Sequence, residues 1–373
     1  MHILLACDKF KGTLTSAQVA AELTAPLTAA GHTVSSVPIA DGGDGTVAAA
    51  LAAGFTARTA TVAGPLGHSV EATWAQSGRT AIVELAEASG IALVSPTRDT
   101  ALNAGTHGTG EVIAAALDAD CTRIVLAVGG SSSTDGGAGM LTALGARFLN
   151  DSGQQVPTGG LGLLEVARAD LTGLDRRLRD TEVVLASDVD NPLLGPHGAA
   201  AVYGPQKGAS DTEVALLDRA LTHLRDRFAE AATTTREAIA RTALTPGAGA
   251  AGGTGFGALA GLGAEVRPGA DYIMELVGFD EAFDSAELVV TGEGRFDRQT
   301  LSGKGPGAVI DRGRDAGVPV WVVCGAAELA ADEAPGVTGI VELRSLAPAE
   351  TCMSHPAAVV RQAGERLAEL LRV

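Results

Sequence analysis

The feature that most constrains this chain is a repeated local pattern, an apolar run of strand length that ends in a polar loop, Gly-containing in four of its five instances. It occurs five times: at 8–12 (Asp-Lys-Phe-Lys-Gly), at 41–46 (Asp-Gly-Gly-Asp-Gly-Thr), at 129–139, at 187–192 (Ser-Asp-Val-Asp-Asn-Pro), and at 292–295 continuing to 301–304 (Leu-Ser-Gly-Lys). Short continuous apolar runs read as parallel strands buried on both faces. In open α/β sheets the loops at the carboxyl ends of such strands line the ligand crevice, and glycine lets backbone N–H groups approach an anion. A single such loop ordinarily does no more than turn the chain. Five together point to a phosphate-handling site.

The order of elements gives the fold class. Residues 3–7 read as a strand, followed by a helix whose Thr15 and Gln18 fit the capping-box spacing; Pro26 is expected to kink or shorten it, and Gly31 to stop it. Residues 32–40 read as a second strand and 46–53 as an Ala-rich helix. From 56 to 93 the stretches shorten and alternate, which predicts antiparallel strands. A helix over 109–117, a strand over 123–128, a helix from Met140 and a strand over 182–186 follow. The Gly/Ala-rich stretch 245–263 reads as a loop packed closely against neighbouring backbone, because a free linker carries more Ser, Pro or charge. The last hundred residues return to open α/β character, with strands over 288–291, 319–324 and 339–343 and helices over 305–317 and from Pro356.

Two strands at the start and three at the end make five. The expected architecture is therefore α/β: a doubly wound, Rossmann- or flavodoxin-like parallel sheet built from 1–62 plus 276–373, with a mixed α/β domain over 63–275 inserted into it.

Composition excludes other classes. The formal net charge of −17 repels phosphate backbones and anionic lipid, and only 3% of residues are aromatic, so neither a nucleic acid nor a membrane is an expected partner. Cys7, Cys121, Cys324 and Cys352 are dispersed and form no C-x-x-C pair, which argues against a zinc cluster or redox pair. The N-terminus lacks the basic start and the apolar length of a signal peptide, so a cytoplasmic location is expected. Familiar nucleotide motifs are missing as well: Gly305 follows Lys304 where a Walker A loop needs Ser or Thr, and position 298 is Arg where its first Gly belongs. A nicotinamide oxidoreductase needs a Gly-rich turn straight after the first strand, and 8–12 supplies one Gly.

Seven segments together resemble the bacterial type I glycerate kinases: 8–12, 40–46, Gly-Gly-Ser-Ser-Ser-Thr-Asp-Gly-Gly-Ala-Gly-Met at 129–140, 187–193, Gly-Pro-Gln-Lys-Gly at 204–208, Pro-Gly-Ala-Gly-Ala-Ala-Gly-Gly at 246–253, and Thr-Gly-Glu-Gly-Arg-Phe-Asp-Arg-Gln-Thr-Leu-Ser-Gly-Lys at 291–304. The resemblance runs from Met1 to the C-terminus in matching order. Lys9, where that family usually has Ser, and Asp44, where it often has Glu, are small departures. The resemblance implies ATP-dependent phosphorylation of D-glycerate, usually to 2-phosphoglycerate, with an active-site cleft between two domains. Phosphorylation at the 3-position, or a non-catalytic two-lobed protein binding sugar acids or nucleotides, are the alternatives. A homo-oligomer is compatible with it.

Phosphoryl transfer needs positioning and charge neutralisation more than covalent chemistry. Asp188 is accordingly the expected proton acceptor, with Lys11 and Arg295 as catalytic cations. Asp8, Asp41, Ser131, Ser133, Thr134, Asp135 and Asn191 are expected at the substrate. Gly129, Gly130, Lys207, Gly292, Glu293, Gly294, Ser302 and Lys304 are expected at ATP or its phosphates, and Asp190 and Asp44 at Mg²⁺. The plainer alternatives are an Asp188 that holds the turn before Pro192 and an Asp41/Asp44 pair that caps the following helix.

Overall fold

The computed structural model describes residues 1–231, 235–302 and 305–372. Its strands are β1 (His2–Cys7), β2 (Thr33–Ser36), β3 (Thr56–Ala63), β4 (Ser69–Ser77), β5 (Thr80–Glu84), β6 (Arg123–Ala127), β7 (Arg147–Leu149), β8 (Arg168–Asp170), β9 (Glu182–Ala186), β10 (Glu265–Arg267), β11 (Leu288–Phe296), β12 (Val320–Ala327) and β13 (Val337–Glu342). The chain divides into two compact units, one comprising Met1–Asp41, Ala48–Phe55 and Ala270–Val373, the other Gly42–Val47 and Thr56–Gly269. Among the described residues no helix is long and apolar enough to cross a membrane.

The first unit carries a five-stranded sheet in the order β13-β12-β11-β1-β2, with every neighbouring pair parallel. Read from β2, this is the flavodoxin-like 2-1-3-4-5 order, and the strand sequence reverses direction between β1 and β11. Ile3, Leu5 and Cys7 of β1 share a core with Val290, Val323 and the helices Ser16–Ala29 and Pro356–Leu370. The two-residue period of a strand leaves Leu4 and Ala6 to the opposite face. The capping box forms as expected: Gln18 N–H donates to Thr15 Oγ1, and Thr15 N–H donates to Gln18 Oε1. Pro26 does not shorten its helix, which continues to Ala29. The ring lies in the last turn against Gly364, where a Cβ would come within 2.5 Å of Pro26 Cγ, so helix packing offsets the lost backbone bond. The second strand is shorter than the expected 32–40, because after Ser36 the chain leaves the ladder.

The second unit holds a six-stranded sheet, β10-β9-β6-β5-β4-β3, and a small antiparallel pair, β7 and β8. β3, β4 and β5 are antiparallel, as the alternation predicted, but β5 joins β6 in parallel, and β6, β9 and β10 continue so. The expected boundary at 62/63 falls inside β3. Phe228, on the helix Asp211–Ala231, sits between Phe148 and Phe256 with ring centroids 5.9 and 5.4 Å away.

The stretch 245–263 is not a loop throughout. A helix spans Ala250–Leu262, broken near its start by Ala251, Gly252 and Gly253 at φ of 50°, 67° and 87°. Its glycines hid it, since Gly carries the lowest helix propensity after Pro. The close packing expected there is present: a Cβ on Gly252 would stand 2.0 Å from the Ser133 carbonyl oxygen.

Candidate active site

In the first unit the strand-order reversal between β1 and β11 marks where an open sheet of this type offers a crevice. Asp8 follows β1 directly, and its N–H donates to the Gly292 carbonyl at 2.8 Å, which ties the first expected loop to the last. Lys9 N–H donates to Asp8 Oδ1 at 2.7 Å. Burial, opposed by Lys9 and reinforced by the Asp41 and Glu293 charges, pushes the Asp8 carboxyl up to about 7. Glu293 is itself buried and accepts from Thr300 Oγ1 at 2.5 Å. Gly294 packs beside Lys11, whose own side chain is exposed. Asp8, Lys11, Asp41, Gly292, Glu293 and Gly294 thus belong to one neighbourhood.

Arg295 stands apart from it. The side chain is exposed, pairs with Glu328 and reaches Asp297 at 3.9 Å. With Asp297, Arg298, Gln299 and Glu328 it lines a polar cleft of about 450 Å³. Its guanidinium is therefore already neutralised locally. The side chain of Ser302 and the whole of Lys304 lie outside the described residues.

In the second unit the carboxyl ends of β5, β6 and β9 crowd around the 42–47 segment. A Cβ on Gly42 would meet the Ala186 carbonyl oxygen at 2.9 Å, and one on Gly129 would meet Gly43 Cα at 2.6 Å and Asp44 N at 2.9 Å. Only glycine permits this approach. A Cβ on Gly130 would stand at ordinary contact distance, 3.7 Å, from the Asp44 Cβ. Asp188, just past β9, accepts from Gly269 N–H at 2.7 Å. The expected residues Asp44, Gly129, Gly130 and Asp188 therefore share one sheet edge. Asp190 is exposed beyond it, and Asn191 is spent on structure: its Oδ1 accepts from Tyr203 Oη at 2.6 Å and its amide donates to the His197 carbonyl at 2.8 Å.

The rest of the 129–139 loop departs from expectation. Ser131, Ser133, Thr134, Asp135 and Lys207 are all buried, Lys207 to 1% exposure. Lys207 Nζ donates to Ser131 Oγ at 2.9 Å and to the Ser133 carbonyl at 2.5 Å, and burial pulls its ammonium down to about 7 against the attraction of Asp135. Asp135 accepts from Thr106 N–H and Thr106 Oγ1, and from Gly137 and Gly139 N–H. Lys207 and Asp135 thus brace the loop from beneath through these bonds. The Ser133 and Thr134 hydroxyls have no hydrogen-bond partner. Among the described residues no three His, Cys, Asp or Glu side chains are grouped to cage a metal.

The glycerate kinase family model matches residues 3–372. The chain belongs to the glycerate kinase family. It is 42% identical over 331 residues to the glycerate kinase of Bacillus subtilis (strain 168), covering 87% of this chain and 85% of that protein. It is 39% identical over 330 residues to the glycerate 2-kinase of Escherichia coli (strain K12), with 87% and 85% covered. Its fold matches the crystal structure of a protein described as glycerate kinase 2 from Salmonella typhimurium LT2, with a TM-score of 0.86, 35% identity, and 100% and 98% of the two chains covered. The resemblance read from the seven segments is therefore met, and the protein is an enzyme of the kinase class.

Sequence reasoning missed one residue of this kinase's sheet edge. Glu84 closes β5, is 3% exposed, and accepts from Gly45 N–H and Val47 N–H, both at 2.9 Å. Burial pushes its carboxyl up to about 7 in spite of those two bonds. The signal was a carboxylate at the end of the apolar run Ala81-Ile82-Val83, with no glycine to mark it.

Proposed function

We propose that this glycerate kinase transfers the γ-phosphoryl group of ATP in line to the 2-hydroxyl of D-glycerate, giving 2-phosphoglycerate and ADP. A bond forms between the glycerate oxygen and the γ-phosphorus, the bond from that phosphorus to the β,γ-bridging oxygen breaks, and the hydroxyl proton passes to the Asp188 carboxylate. The observation that carries this reading is the sheet edge where Asp188, Asp44 and the Gly129-Gly130 backbone lie on one rim of β5, β6 and β9.

Asp188 suits a proton acceptor because the Gly269 N–H fixes its orientation. Half-buried Gly129 and exposed Gly130 suit backbone contact with an anion, while the buried Ser131, Asp135 and Lys207 hold the 129–139 loop in shape through their hydrogen bonds. Around Asp8, the Lys11 ammonium and the Gly292-Glu293-Gly294 backbone suit the phosphates of the nucleotide. Magnesium in kinases is held by one or two carboxylates together with phosphate oxygens and water, so the hard oxygen donors Asp44 and Asp190 fit it without a protein cage. When bound it neutralises phosphate charge, which a chain of net charge −17 is short of. The name of the Escherichia coli relative supports the 2-phosphate, and four unpaired cysteines support a reducing, cytoplasmic setting.

Proton-coupled ³¹P NMR of a reaction with D-glycerate, ATP and Mg²⁺ tests this. A 2-phosphate couples to one methine proton and gives a doublet; a triplet reports the 3-phosphate and overturns the regiochemistry. Turnover that survives excess EDTA overturns the metal assignment.

A further inference from the structure

Glu84 lies in the middle of the sheet edge, and no role in the reaction has been assigned to it. Its strand neighbour in register is Ala127 of β6, two residues before Gly129. The 42–47 segment that it holds is a tight turn, closed by Thr46 Oγ1 donating to the Gly43 carbonyl at 2.7 Å and with Gly42 and Gly45 at φ of 76° and 93°. Three strand ends fix this turn in three ways. β9 meets it through van der Waals contact at Gly42, β6 through contact of Gly129 with Gly43 and Asp44, and β5 through the two hydrogen bonds of Glu84. The hydrogen bonds of Glu84 are directional, whereas the glycine contacts limit how close the turn comes but not how it rotates. A neutral apolar core needs no carboxylate at the end of β5, and a buried charged group is costly unless it is paired. The two N–H groups it satisfies belong to the turn that carries Asp44.

We propose that Glu84 is a positioning residue for phosphoryl transfer: it sets the rotation of the 42–47 turn and thereby aims the Asp44 carboxylate and the Gly43 backbone beside Gly129 and Gly130. The inference rests on the reading of this sheet edge as part of the active site. Glu84 touches no reactant and acts through the turn. Glutamine in its place keeps one acceptor but turns an NH₂ group toward the other backbone N–H, so one of the two anchors becomes a repulsion. Val47→Pro reaches the same bond from the other side, removing the donor in a first helical turn that tolerates proline.

The test uses the full chain as wild type, Glu84→Gln and Val47→Pro. Each is assayed for D-glycerate-dependent ADP release well below its melting temperature and analysed by amide hydrogen exchange. The expected result is a loss in kcat/KM of at least about ten-fold in both variants. Amides of 42–47 should exchange at least about ten-fold faster while those of β6 keep their protection. A purely structural role would lower the melting temperature and leave kcat and both KM values unchanged at the lower assay temperature. Faster exchange over 42–47 with kcat/KM kept within two-fold overturns the inference, and so does unchanged exchange there. If Glu84→Gln fails to fold, Val47→Pro decides alone. A wild type without glycerate-dependent turnover refutes the functional reading instead, and the exchange arm still reports whether Glu84 anchors the turn.

Discussion

Asp188 Oδ1 lies 2.7 Å from the backbone nitrogen of Gly269, and that hydrogen bond joins the loop after β9 to the segment after β10. It orients the carboxylate through an oxygen acceptor that the amide of asparagine also supplies.

Asp188→Asn therefore separates chemistry from turn-holding. The amide oxygen still accepts from Gly269, so the melting temperature should change little, while kcat and kcat/KM fall together by at least about a hundred-fold with both KM values within a few-fold. Steady-state kinetics and a thermal melt check this. Near-normal kcat with a lowered melting temperature leaves Asp188 as the residue that holds the turn.

Gly129→Ala tests the crowding at the edge of β6. Its Cβ would overlap Gly43 Cα at 2.6 Å and Asp44 N at 2.9 Å, both backbone atoms, so the 42–47 turn has to move. The expected outcome is a loss of kcat/KM of about ten-fold or more, because sub-ångström to ångström misplacement at a reacting site is costly.

Asp8 makes stability depend on pH. Burial pushes its carboxyl up to about 7 in the folded protein, against about 4 for an aspartate in the unfolded chain. Between those values the folded state binds the proton and the unfolded chain has released it, so this group's contribution to stability falls as pH rises from about 4 to 7 and is level above. Asp8→Asn, which cannot ionise, should gain melting temperature relative to wild type across that window. Calorimetry from pH 4.5 to 8 reads the difference, and a constant offset refutes the shift.

Lys207→Met removes the ammonium from the buried bracing of the 131–135 loop and strands the Ser133 carbonyl and the Ser131 hydroxyl. Leaving buried acceptors unsatisfied costs about 1–3 kcal/mol, so chemical denaturation should show a lower midpoint with an unchanged m-value. Salt dependence of the KM for ATP should remain that of wild type, because Lys207 is 1% exposed. A KM for ATP raised more than ten-fold places its amine at the phosphates after all.

Much of this protein was legible from residue order. Continuous apolar runs such as Ile3 to Cys7 and the run now seen as β9 announce parallel strands, because a strand covered on both faces needs no alternation. The Gly-rich loops at their ends announced the edge where the site lies, and the capping box at Thr15 and Gln18 is a purely local device. What a single position does was decided by tertiary structure. Ser131, Ser133, Thr134 and Lys207 have the chemistry of phosphate ligands, yet the left-handed turn at Ala251, Gly252 and Gly253 packs onto their loop and these side chains are buried. Pro26 stayed inside its helix because a glycine some 340 positions later left room for its ring. Glu84 lies in one of the short alternating stretches of 56–93, and only folding brings Gly45 and Val47 to its carboxylate. Strand and loop character depend on neighbours a few residues away, which the sequence contains. Burial and hydrogen-bond partners depend on atoms that are distant in the chain, and only packing brings those together.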